Sequence, residues 1–126
     1  MSPVSPQIVK FATDELVKDL PPPVEVAVPI DFPVSRFSSK SLVIPTRPET
    51  KIGIWECSPG RWRRQVVQAE FCHFVQGDCT FIPDGGDAIE IRPGDVVYFP
   101  PNSSGTWEIR SQSRKIFMVF DSPGPA

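Results

Sequence analysis

Glu70-Phe71-Cys72-His73-Phe74-Val75-Gln76-Gly77-Asp78-Cys79-Thr80-Phe81-Ile82-Pro83 reads as strand, turn, strand. Side chains alternate across a strand, so Glu70, Cys72 and Phe74 share one face, while Phe71, His73 and Val75 share the other. Gln76-Gly77-Asp78 is turn chemistry, with a glycine where the chain must reverse. The same texture extends outward from this hairpin. From Lys51 onward, short apolar runs rich in β-branched and aromatic residues are each closed by glycine or proline, which predicts strands over 52–57, 62–67, 70–76, 79–83, 88–91, 95–99, 105–110 and 115–120. Spacing near ~10 residues predicts an all-β sandwich or barrel. Ser58-Pro59-Gly60, Asp84-Gly85-Gly86, Arg92-Pro93-Gly94-Asp95 and Pro100-Pro101-Asn102 supply further turns.

Upstream the texture changes. More than half of the 16 prolines precede residue 50, with Pro21, Pro22 and Pro23 in a row. Proline forbids a continuous helix there, so residues 1–50 are expected to form an extended arm, residues 51–121 the barrel and residues 122–126 a tail. One capped helical turn or two is predicted from Thr13 through Leu20, with Asp14 and Glu15 at its N-terminal end. Alternation from Val24 to Ile30 predicts a strand with one buried face. Phe32 and Phe37 are expected as further anchors on the barrel or on a second subunit.

The 126 residues suffice for one domain and one core. With 13 Lys and Arg against 15 Asp and Glu, no global basic field exists to hold a polyphosphate, so nucleic acid is not expected as a partner. Apolar stretches are far shorter than the roughly 20 residues of a membrane helix. No basic-then-apolar leader opens the chain, and a cytoplasmic location is expected. Cys57, Cys72 and Cys79 form no CxxC pair, and they read as buried free thiols rather than as a disulfide framework or a zinc cluster.

Two stretches carry a resemblance. Glu70 through Gly77 resembles the end of the first cupin motif, in which a glutamate is followed seven positions later by a glycine. Gly94-Asp95-Val96-Val97-Tyr98-Phe99-Pro100 resembles the start of the second. Gly53-Ile54-Trp55-Glu56-Cys57-Ser58-Pro59-Gly60, Gly105-Thr106-Trp107-Glu108 and Arg114-Lys115-Ile116 are similar to the cupin subgroup of ureidoglycine aminohydrolase and the ethanolamine-utilisation cupins. The resemblance implies a double-stranded antiparallel β-barrel, the jelly roll. It also implies where metal ligands belong: two histidines before the glutamate, among positions 63–66, and a third near Gly105. Arginine, glutamine, valine and glycine stand there instead, and the single histidine, His73, lies on the opposite strand face from Glu70. No tightly bound catalytic metal is therefore expected, since imidazole-held metals need several converging donors. A weak divalent ion on Glu70 with Gln65 is the one alternative.

What remains for chemistry is a carboxylate and an ammonium. Strand parity groups Lys115 with Phe117 and Val119 against Ile116, Met118 and Phe120, and both sets are apolar. The subgroup resemblance implies that Lys115 points inward. Glu70 and Lys115 are then the candidate catalytic pair, in an aromatic box drawn from Trp55, Trp62, Phe81, Phe99 and Trp107, with Cys72 on the same face as Glu70. Burial is expected to carry such a pair toward neutral pKa values, Glu70 moving the proton and Lys115 binding a substrate oxygen. The bland alternative is that the two satisfy one another and the aromatics are packing.

In Arg61-Trp62-Arg63-Arg64, alternation sets Arg61 and Arg63 on one face and Arg64 with Trp62 on the other. Either this is a solvated strand end, or Arg64 grips a carboxylate or phosphate at the barrel mouth. Glu56 and Glu108 are open in the same way. Two functions follow: a metal-independent acid/base enzyme of the ureidoglycine aminohydrolase type acting on a small polar metabolite, or a non-catalytic ligand-binding or accessory module. Outward Phe71 and Val75, with the arm's apolar anchors, predict a homodimer.

Overall fold

The computed structural model describes residue 6 and residues 8–120; the tail at 122–126 and the start of the arm lie outside the described residues. One short helix, α1 (Thr13–Lys18), precedes ten strands: β1 (Val24–Glu25), β2 (Arg36–Ile44), β3 (Arg47–Cys57), β4 (Gly60–Val66), β5 (Glu70–Gln76), β6 (Cys79–Pro83), β7 (Ile89–Ile91), β8 (Val96–Phe99), β9 (Ser103–Ile109) and β10 (Ser113–Val119). They build two antiparallel sheets, in the orders β1-β2-β3-β10-β5-β8 and β4-β9-β6-β7. The eight strands expected after Lys51 are all present, with ends shifted by a few residues.

The sheets face one another over a core of inward side chains, among them Trp55, Phe74, Phe81, Phe99, Trp107 and Phe117. Trp107 is its hub, stacked at 6.1 Å on Trp55 and edge-on to Phe81 at 5.0 Å. β5 shows how sequence sets this arrangement: Glu70, Cys72 and Phe74 are buried, whereas Phe71 and Val75 are exposed. Gly77, at φ 106°, closes the strand in a conformation that side chains disfavour, and its Cα face lies against Ser113.

The arm departs from expectation. The boundary drawn at Lys51 falls inside β3, because Arg36–Ile44 pairs with β3 in register, Phe37 opposite Cys57 and Ser39 opposite Trp55. Pro45 and Thr46, the latter at φ 74°, make the turn between them, and Pro48 sits near the start of β3, where a missing N–H is tolerated. Residues 24–30 do not form one strand either. Only Val24 and Glu25 pair with β2, Val26 inserts into the core at 4% exposure, and the chain then crosses to the other sheet. There Pro29 bridges Trp62, Ile30 N–H donates to Arg61 O, and Arg63 N–H donates to Val28 O. Changing sheets turns the valines, so Val24, Val28 and Ile30 stay exposed. Phe32 is also exposed, while Phe37 packs on the core. Helix α1 is capped at Ala12 and has no side-chain cap. Its end is tied to the sheet by the Lys40–Asp19 ion pair and by Ser38 Oγ–H donating to the Pro21 carbonyl.

Candidate functional site

Three strands bring three charges into the lumen. β5 begins with Glu70, β10 supplies Lys115, and β4 supplies Arg64 beside Trp62. Lys115 pairs opposite Phe74 on β5 and opposite Trp55 on β3, so its side chain enters the barrel with Phe117. Its ammonium lies 3.1 Å from Glu70 Oε1, and Arg64 Nη2 donates to Glu70 Oε2 at 2.9 Å. Lys115 is 1% exposed and Glu70 4%. The ammonium stands 4.6 Å from the Trp55 ring centroid and within 5.9 Å of those of Phe74, Phe99 and Trp107, a cation–π cage that partly replaces lost hydration.

Of the expected box, Trp55, Phe99 and Trp107 surround the ammonium, Phe74 joins them, and Trp62 and Phe81 stand outside this cage. A cavity of about 330 Å³ at the barrel mouth is lined by Trp55, Trp62 and Arg64, with Gln65, Val26 and Phe37. Cys72, Phe81, Phe99 and Trp107 are packed in the interior. Sequence reasoning missed Val26 and Phe37 as walls, because both belong to the segment assigned to the arm. The signals they left were the valine alternation for Val26 and the place of Phe37 among the arm's expected anchors.

Electrostatics correct the expected pKa drift. Burial alone would raise the Glu70 carboxyl, but the ammonium of Lys115 and the guanidinium of Arg64, with hydrogen bonds from Lys115 and Cys72, hold it below its ordinary value of 4.5. Glu70 is thus a carboxylate at neutral pH, and a weak base. Burial pushes the Cys72 thiol up to about 12 and those of Cys57 and Cys79 to about 11, so none is a ready nucleophile. A carboxyl depressed by folding adds stability that is complete above pH 4.5 and is lost as pH falls through the native value. Accordingly, the stability difference between the wild type and Glu70→Gln is expected to be constant from pH 7 to 5 and to shrink below about pH 4. Urea unfolding at each pH measures it; Asp84, held at about 2 by Arg63 and Ser104, cancels in the comparison.

The remaining charges lie outside the lumen. Arg61 pairs with Asp31 and Glu108, and Arg63 grips Asp84 with a fork, Nη1 donating to Oδ1 at 2.7 Å and Nη2 to Oδ2 at 2.6 Å. Glu56 pairs with Arg114. The basic cluster thus divides as its alternation implied, and its outward members are each answered by a carboxylate.

The chemistry of the donor set does not fit a catalytic metal. Both Glu70 oxygens are held by cations, and a divalent ion there would sit against an ammonium and a guanidinium. At the third expected ligand position, a Cβ on Gly105 would strike the Ile82 carbonyl oxygen and come within 2.7 Å of the Phe81 ring, so no histidine fits. Gln65 is exposed on β4 at the cavity rim, on the opposite strand face from Arg64, which holds Glu70. Among the described residues no three His, Cys, Asp or Glu side chains converge as metal ligands.

Two facing antiparallel sheets with a lumenal glutamate opening β5 define a jelly roll of the cupin class. The model of the EutQ-like cupin domain matches residues 48–117, and the chain belongs to this family. Among solved structures, EutQ of Clostridium difficile is 18% identical with a TM-score of 0.63, over 77% of this chain and 82% of that one. A DUF861-family protein of unknown function from Pseudomonas syringae pv. tomato is 19% identical with a TM-score of 0.66, over 79% of this chain and 43% of that one. A DUF861-family protein from Thermotoga maritima is 25% identical with a TM-score of 0.52, over 53% and 76%. No curated protein sequence matches the chain. Among the described residues no helix is long and apolar enough to cross a membrane.

Proposed function

We propose that this cupin binds a small polar metabolite at its barrel mouth, as a ligand-binding or accessory module that works without a tightly held transition metal. One observation carries this: Glu70 is clamped between Lys115 and Arg64, and Arg64 also lines a cavity walled by Trp55 and Trp62. A clamped carboxylate with a lowered pKa fixes the position of its two cations and is a poor proton carrier. A metal-independent acid/base enzyme of the ureidoglycine aminohydrolase type is the second reading, supported by Glu70 and Lys115 sharing the lumen.

The partner we propose for the protein surface is a second copy. Phe71 and Tyr98 are exposed cross-strand neighbours on the outer face of the larger sheet, and a groove of about 400 Å³ beside Met118 and Phe120 extends that face. A cytoplasmic location is supported by three unpaired thiols.

Native mass spectrometry of the chain purified from cells tests the function. The expected spectrum shows a dimer carrying a small molecule that is released on collisional activation. Bare chain, together with turnover of a metabolite panel that Glu70→Gln abolishes, would favour the enzyme instead.

A further inference from the structure

We infer that the mouth cavity takes a monoanionic carboxylate with a flat apolar body, seated on Arg64 and resting against the cavity wall that Trp55 and Trp62 help to form. This deepens the metabolite-binding proposal and rests on it.

The charges around Glu70 do not balance. Glu70 is the carboxylate paired to both Lys115 and Arg64, and among the described residues neither cation has a second carboxylate partner. Two positive charges against one negative leave a net single positive charge in a region of low dielectric, where an unanswered charge is costly. Its accessible end is Arg64. The Lys115 side chain is 2% exposed and enclosed by rings, whereas that of Arg64 is 27% exposed and lines the cavity. Arginine presents a planar fork of five donors that matches a carboxylate, and Glu70 engages it through Nη2.

The second arginine on the rim adds no free charge, because Arg63 is already held by Asp84 and Thr106. One monoanion therefore balances the site, and a phosphate dianion overshoots it. The walls set the ligand's body. Trp55 and Trp62 stand 6.5 Å apart between centroids with Val26 and Phe37 beside them, surfaces that reward a flat apolar group rather than a second charge.

Isothermal titration calorimetry on the intact chain tests this with benzoate, benzamide, benzylamine and inorganic phosphate as probes. Benzoate is expected to bind at least about tenfold more tightly than the other three, and Arg64→Met to remove that advantage, as loss of a charged hydrogen-bond pair implies. Should Arg64→Met fail to fold, Arg64→Lys keeps the charge but loses the fork, and benzoate should weaken severalfold. Benzamide or benzylamine equal to benzoate, phosphate tighter than benzoate, or full benzoate affinity in the foldable variant overturns the carboxylate assignment and leaves the metabolite proposal standing. Binding of none of the four also overturns the carboxylate assignment, and the metabolite proposal falls with it when native mass spectrometry shows bare chain as well.

Discussion

Lys115→Met is expected to lose about 3 kcal/mol of folding stability at pH 7, the lower end of what removing one partner from a buried ion pair costs. Methionine fills most of the lysine's volume, so the loss is electrostatic rather than a cavity effect. Three consequences add. Glu70, at 4% exposure, keeps only Arg64; the four rings lose the cation they surround; and Cys72 is left beside a less-compensated carboxylate. Arg64 remains, which holds the expected loss below the top of the range. Glu70→Leu combined with Lys115→Met should be less destabilised than the sum of the single variants, since the uncompensated buried charge disappears and the freed Arg64 lies at the cavity wall. Urea unfolding of the three variants measures this, and a Lys115→Met loss under about 0.5 kcal/mol would place the pair in solvent rather than in a dry lumen.

Gly105→Ala is expected to cost about 3 kcal/mol, at the upper end of overpacking. The new methyl group would meet the Ile82 backbone carbonyl and the Phe81 ring. The carbonyl belongs to β6, paired to β9 in register, so it cannot move without opening the ladder. Gly105→His should fail to fold or should fold without gaining metal affinity, because its Cβ already meets the Ile82 carbonyl and the Phe81 ring and both Glu70 oxygens are held by cations. Thermal unfolding and zinc titration read the two variants; a stable Gly105→His that binds zinc through Glu70 would show that the lumen has more room than the contacts allow.

Much of the barrel was legible because its signals are local. Alternation in β5 and the turn at Gly77 involve residues within a few positions of one another, and burial follows them residue by residue. The β2–β3 hairpin was not legible. Ser38, Ser39, Lys40 and Ser41 carry no apolar alternation, and Pro45 and Pro48 resemble arm punctuation although they serve a turn and a strand start. The change of sheets after Val26 depends on the distant backbone of β4, which no local pattern records.

The site divides in the same way. Parity placed Arg64 with Trp62 correctly, yet for Lys115 both strand faces were apolar, and only the resemblance to other cupins pointed it inward. The direction of the Glu70 shift could not be read from sequence at all. It is the difference between a burial cost and two attractions, and its sign turns on contacts of 3.1 and 2.9 Å between residues on three separate strands. With those contacts, Glu70 is held as a carboxylate between two cations.

A double-mutant cycle between Glu70 and Lys115 tests that claim most directly. Urea unfolding of the wild type, Glu70→Gln, Lys115→Met and the double variant at pH 7 is expected to give a coupling of about 2 kcal/mol or more. A coupling below about 0.5 kcal/mol would contradict a lumenal ion pair as the centre of this site.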